Sequence, residues 1–301
     1  MPIKLPENLP AFEILRKERV VVMSDNRAAR QDIRPLEIAI LNLMPEKVKT
    51  ETQFARLLGN SPIQVSLTLM QTGTYAPQHT DKAHLYEFYQ PFQALKSRRF
   101  DGLIVTGAPV ETLAFEEVKY WQELTEIFEW ARRHVYSSFF VCWGAQAALY
   151  HRYGVPKHEL PEKRFGIFEH KNLRPTSDLM RGINDHFAMP VSRHTQVQAE
   201  DLPPHLEPLA VSEIAGIGAV ADWQARAFFV FNHLEYDRET LQMEYERDLV
   251  KGAQIQLPHN YFPGDDPSQT PPNMWRAFAA VVFQNWFNFV YQGTPYDLSD
   301  L

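Results

Sequence analysis

One pattern constrains the fold more than any other: short apolar runs separated by ten or more residues of helical spacing. The first run is Leu36-Glu37-Ile38-Ala39-Ile40-Leu41-Asn42-Leu43. Pro45 then suits a first helical turn, Glu46 to Leu58 carries helical spacing, and Gly59 closes it. Ile63-Gln64-Val65-Ser66-Leu67-Thr68-Leu69 alternates with period two, as a second strand does. A third lies within Arg99 to Thr106 and ends in Gly107-Ala108-Pro109. The pattern next predicts a long helix over about Phe115 to His134, a strand ending in Phe139-Phe140-Val141, and a helix to about Tyr153. Strands spaced this way imply parallel βαβ units with right-handed crossovers. Chemistry in such sheets collects beyond the carboxyl ends of the strands. Gly107-Ala108-Pro109 and Cys142 both fall there.

The second half turns β-rich, with runs at Phe165 to Glu169, Met189 to Val197, Leu209 to Val211, Ile217 to Asp222 and Ala227 to Phe231. Helices are expected over Glu239 to Lys251 and Trp275 to Tyr291, and a surface loop over Gln256 to Pro272. The aromatic residues of the last helix suit either a core or an interface. Residues 1–35, rich in Pro, Arg and acids, read as an N-terminal arm, and residues 36–301 as a single α/β domain. The fold class is therefore α/β, a mostly parallel sheet flanked by helices. A chain of 301 residues has room for this, and 45% hydrophobic with 22% charged residues is an ordinary globular balance. A net charge of −7 argues against nucleic acid as a partner. No apolar run approaches the roughly 20 residues that span a bilayer. The first ten residues lack the apolar core of a signal peptide. With one cysteine there is no intrachain disulfide and no Cys-rich metal site. The expected setting is cytoplasmic, with no membrane association.

That cysteine, Cys142, sits in Phe139-Phe140-Val141-Cys142-Trp143-Gly144-Ala145-Gln146-Ala147-Ala148, a strand, a sharp turn and a helix. Its neighbours there are the amides that open the helix, which lower a thiol's pKa and hold an oxyanion. The competing reading is a buried thiol acting as a small hydrophobe. A nucleophile needs a base and a group that orients the base. Ala227-Phe228-Phe229-Val230-Phe231 is another apolar strand, and beyond its end stand His233 and Glu235. Residues i and i+2 of extended chain share a side, so the carboxylate can hold the imidazole. A purely structural histidine is the alternative.

These residues carry a resemblance. Phe140-Val141-Cys142-Trp143-Gly144-Ala145-Gln146-Ala147 resembles the nucleophile elbow of class I glutamine amidotransferase-like folds, and His233 with Glu235 resembles their second signature. Asn42-Leu43-Met44-Pro45-Glu46-Lys47-Val48-Lys49-Thr50-Glu51 resembles the hallmark of the homoserine O-acyltransferases of methionine biosynthesis. Asp101 to Pro109, Tyr120-Trp121, Tyr261-Phe262-Pro263 and Thr294-Pro295-Tyr296-Asp297-Leu298 are similar to that family too, so the match runs the length of the chain. It departs at Asn232 and Leu234, where the family usually has Gly and Pro.

The resemblance implies a ping-pong enzyme that carries an acyl group from acyl-CoA on Cys142 to the hydroxyl of L-homoserine. Cys142 is then the nucleophile, His233 the general base, and Glu235 the group that orients it. The amide of Trp143 and one near Gly107-Ala108 are oxyanion donors by position. Family matching makes Lys163, Ser192 and Arg247 substrate-binding positions and Glu111 the acyl-CoA specificity position. Members that use acetyl-CoA have a glutamate there, and those that use succinyl-CoA a small residue. A succinyl carboxylate about 4 Å from Glu111 would be repelled by roughly 4 kcal/mol at an effective dielectric near 20. Acetyl-CoA is thus the expected donor, and a helix cap or solvent contact is the other role open to Glu111. Lys47 either meets CoA phosphate or is simply exposed. No metal or bound cofactor is expected, and the family's habit is a homodimer. The alternatives are succinyl transfer, serine as acceptor, or a glutamine amidohydrolase of the same fold.

Overall fold

The computed structural model describes residues 3–18, 22–23, 34–74 and 81–301. The first half runs β1 (Ile3–Lys4), α1 (Pro10–Lys17), β2 (Val22–Met23), β3 (Leu36–Leu41), α2 (Lys47–Gly59), β4 (Val65–Gln71), α3 (Lys82–Phe88), β5 (Tyr89–Pro91), α4 (Phe92–Leu95), β6 (Phe100–Val105), α5 (Trp121–His134), β7 (Val135–Val141) and α6 (Trp143–Tyr153). The second runs β8 (His158–Asn172), β9 (His186–Gln196), β10 (Glu207–Ser212), β11 (Gly216–Asp222), β12 (Ala227–Val230), α7 (Thr240–Val250) and α8 (Arg276–Gly293).

The strands form one mixed sheet in the order β2-β1-β4-β3-β6-β7-β12-β11-β10-β8-β9, with β5 on β4. Pairing is parallel from β2 through β12 and antiparallel beyond it. The described part of the 1–35 segment contributes β1 and β2 at one edge, and α1 lies beside them in sequence.

The central strands are apolar on both faces because helices cover both. Alternate residues divide between two cores. Ile38, Ile40, Phe139, Val141 and Phe228 pack with Phe12, Phe54, Leu58, Phe283, Trp286 and Phe287 of α1, α2 and α8. Leu41, Leu103, Val105, Phe140 and Phe229 pack with Leu124, Phe128, Ala145 and Leu149 of α5 and α6. The buried aromatic residues of α8 therefore serve the core.

Two expectations need correction. The helix expected from Phe115 is a short 3-10 turn at Phe115–Glu117, and the α-helix starts only at Trp121. Glu117 turns back to accept from the Ala114 N–H, and Phe115 stacks against Trp121 and Tyr150 at 5.4 and 4.6 Å. The loop over 256–272 is also more than a surface loop. His259 bonds the backbone of Phe165 and Ile167, and Tyr261 and Phe262 are buried.

Candidate active site

Cys142 stands at φ 50°, ψ −121°, in a region that residues with a Cβ rarely occupy. Such strain persists only where neighbours over-determine it. Here the Cys142 N–H donates to the Val230 carbonyl at 2.8 Å, and its own carbonyl accepts from Ala145 and Gln146 at 3.0 and 3.2 Å. The turn brings α6 hard against the end of β6. A Cβ on Gly144 would lie 2.5 Å from the Thr106 carbonyl oxygen, so glycine is required for that approach. The thiol is thereby held at the positive end of α6.

Parallel pairing sets Val141 of β7 beside Val230 of β12, so both chains leave the sheet at one level. This is why Cys142 and His233 meet. His233 Nδ1 lies 2.7 Å from Glu235 Oε1, and the ring faces the same cavity as Cys142. Its backbone N–H donates to Pro190, and its ring stacks on Tyr236 with centroids 4.1 Å apart. Burial opposes charge on this imidazole. The charges of Cys142 and Glu235, with the Glu235 hydrogen bond, outweigh it, holding His233 well above its ordinary pKa. Gly107 closes over the pair: a Cβ there would stand 3.1 Å from Cys142 Cβ and 3.7 Å from His233 Cε1.

Cys142 and His233 open into a cavity of about 310 Å³ whose walls include Glu111, Lys163, Ser192 and Arg247. Of the catalytic, substrate-binding and specificity positions singled out in the sequence, all but Glu235 line this space, and Glu235 stands behind the imidazole. Sequence reasoning missed Glu244 and Asp248, which tie the wall together. Glu244 accepts from Ser192 at 2.5 Å, Tyr236 at 2.7 Å and Lys163 at 3.3 Å. Asp248 pairs with Lys163 at 3.1 Å and Arg247 at 2.9 Å. Burial alone would raise Glu244, but Lys163 and the two hydroxyl bonds hold it below the usual carboxylate range. A signal was available, since Glu244, Arg247 and Asp248 lie at i, i+3 and i+4 on one helix face.

Burial raises the Glu111 pKa, against a backbone hydrogen bond from His194 and the nearby charges of His194, His233 and Lys163. Its Oε2 is buried without a hydrogen-bond partner and the residue faces the cavity, so it neither caps a helix nor meets solvent freely. Lys47 departs from the exposed role. It is buried, its Nζ donates to the Asn42 carbonyl, and desolvation pushes its pKa down to about 8 against the pull of Glu51.

Behind His233 lies a second feature the sequence did not announce. Arg193 is 1% exposed, and its guanidinium donates to the carbonyls of Phe231 and Ala215 and to Asn232 Oδ1. The Asn232 amide in turn meets His170 Nε2 at 3.0 Å. The side chain at the departing position 232 thus bridges a buried cation and a buried histidine, immediately before His233.

Among the described residues no group of three or more His, Cys, Asp or Glu is placed to hold a metal ion. Nor is any described helix long and apolar enough to cross a membrane.

The model of the family described as homoserine O-succinyltransferase matches residues 2–296. The chain is 53% identical over 304 residues to a homoserine O-acetyltransferase of Thermotoga petrophila, covering 100% of both. It is 54% identical over 300 residues to one from Geobacillus kaustophilus, covering 99% of both. In structure it resembles a glutamine amidotransferase of Thermotoga maritima with a TM-score of 0.54 at 10% identity, covering 87% of this chain and 100% of that one. At that identity the likeness speaks for the fold alone.

Proposed function

The chain belongs to the homoserine O-succinyltransferase family, and from that premise we propose that it transfers an acetyl group from acetyl-CoA to the hydroxyl of L-homoserine, through a thioester on Cys142. The observation that carries this reading is Cys142 beside an imidazole oriented by Glu235, in one cavity with Lys163, Glu244, Arg247 and Asp248.

The Cys142 thiolate attacks the acetyl carbonyl carbon, and the tetrahedral intermediate places its negative charge on oxygen. The Trp143 amide and one near Gly107-Ala108 are the donors offered to it. The C–S bond to CoA breaks, and the leaving thiolate takes the proton of His233. Homoserine then enters, its hydroxyl gives a proton to His233, and its oxygen displaces Cys142 as thiolate. General-base assistance of this kind supplies about 10²–10⁴ in rate. The Arg247 fork suits the α-carboxylate, with Lys163 and Ser192 setting the remainder of the acceptor. Glu111 fills the end of the acyl pocket, which supports acetyl over succinyl.

Residues 36–301 act in this reading as one catalytic domain, with residues 1–35 as an arm. A cytoplasmic homodimer is part of it, supported by the family resemblance and the lone free thiol; a monomer by light scattering would refute that assembly. Intact mass spectrometry after mixing with acetyl-CoA alone is the test. It should show one acetyl on Cys142, discharged by homoserine; no adduct, or an adduct elsewhere, would overturn the mechanism.

A further inference from the structure

We propose that a second cavity, beside the one at Cys142, is the slot that receives the pantetheine arm of the acyl-CoA. This rests on the acyl-transfer reading above and deepens it by giving the donor its own path to the thiol. The cavity measures about 300 Å³ and lies between the segment after β3 and the segment between β6 and α5. Met44, Pro45 and Pro109 line both it and the cavity at Cys142, so the two spaces meet across these residues.

Their chemistry differs in the way a two-substrate site requires. The charged groups of the reaction cavity are Glu111, Lys163, Glu244, Arg247 and Asp248, which suit a zwitterionic acceptor. The neighbouring cavity is walled by the aliphatic side chains of Leu43, Val110, Leu113 and Val118, with Gln71 and Thr72 among them. A pantetheine arm is a narrow, uncharged chain with two amides and a thioester at its tip. Aliphatic walls with a few polar groups are the usual lining for such a ligand. The nucleotide end of CoA is anionic, and the exposed Lys119 borders this cavity, with Glu117 as its nearby counter-charge. The buried Lys47 forms part of the inner wall and belongs to the loop's support more than to any phosphate.

Acylation of Cys142 by acetyl-CoA and by the short donor S-acetyl-N-acetylcysteamine separates the possibilities. Leu113 is 42% exposed, so Leu113→Trp narrows the slot with little threat to folding. The preference for acetyl-CoA over the short donor should fall at least tenfold, with the change in KM for acetyl-CoA rather than for homoserine. Lys119→Glu should raise KM for acetyl-CoA at least threefold relative to S-acetylpantetheine, which lacks the nucleotide. If Leu113→Trp slows both donors alike, or leaves acetyl-CoA untouched, the slot is wrong. A wild-type chain that neither thioester acylates sinks the underlying reaction and the slot with it.

Discussion

At the scale of single residues, the site depends on charges buried with unusual partners. Arg193 is sealed from solvent and held by two carbonyls and the Asn232 side-chain oxygen, while burial pushes its pKa down only to about 10, so it stays charged at neutral pH. Losing a hydrogen bond to a charged group typically costs about 1.5–3 kcal/mol. Asn232→Leu should therefore lower stability by about that amount in urea melts and slow the acylation of Cys142, because the same contact fixes the residue before His233. Glu111→Gly should shift the donor preference toward succinyl-CoA, measured as the ratio of kcat/KM values; an unchanged ratio would count against Glu111 as the end of the acyl pocket. Cys142, His233 and Glu235 were legible in the sequence because each follows an apolar run that can only be a strand. Arg193 and Glu244 were not, because their meaning comes from partners on other elements. A serine, a tyrosine and a lysine meet on Glu244 only after β8, β9 and α7 have come together.

At the scale of elements, the site is the meeting of strand ends. The segments after β3, β6, β7 and β12 supply Met44 and Pro45, Gly107 to Pro109, Cys142, and His233 in turn. Periodicity revealed these strands and most helices. It failed at Phe115, where helical spacing was satisfied but aromatic stacking against Trp121 and Tyr150 drew the segment out of the helix. One close joint is α6 on β6. Gly144→Ala forces a methyl group into the Thr106 carbonyl, and overpacking of this kind costs about 1–3 kcal/mol. Its urea midpoint should drop accordingly, and acylation should slow further than stability alone explains, because the displaced helix carries the Trp143 amide. A variant with normal acylation would separate the elbow's shape from its chemistry.

At the scale of the whole molecule, two cores share one sheet, and buried polar groups tie the antiparallel extension to the parallel part. His170 shows what this means for stability. It is fully buried, donates from Nδ1 to the Phe168 carbonyl at 2.9 Å, and accepts from Asn232 at Nε2, so it is held neutral. Burial, with help from Arg193, lowers its pKa from 6.5 to about 4, against the bond to Phe168. In the unfolded chain it protonates near 6.5, so between those values the unfolded state binds the extra proton. Stability from this group is complete above pH 6.5 and is lost as pH falls toward 4, by roughly 3 kcal/mol in all. Urea midpoints measured across that range should show the slope, and His170→Gln should flatten it. One further consequence follows from the bond between the Cys142 amide and Val230. A rung of the sheet ladder spans the nucleophile's strand and the strand that leads to the base, so their spacing is metered by the backbone itself. The amide of Cys142 should exchange its hydrogen only when the entire molecule opens.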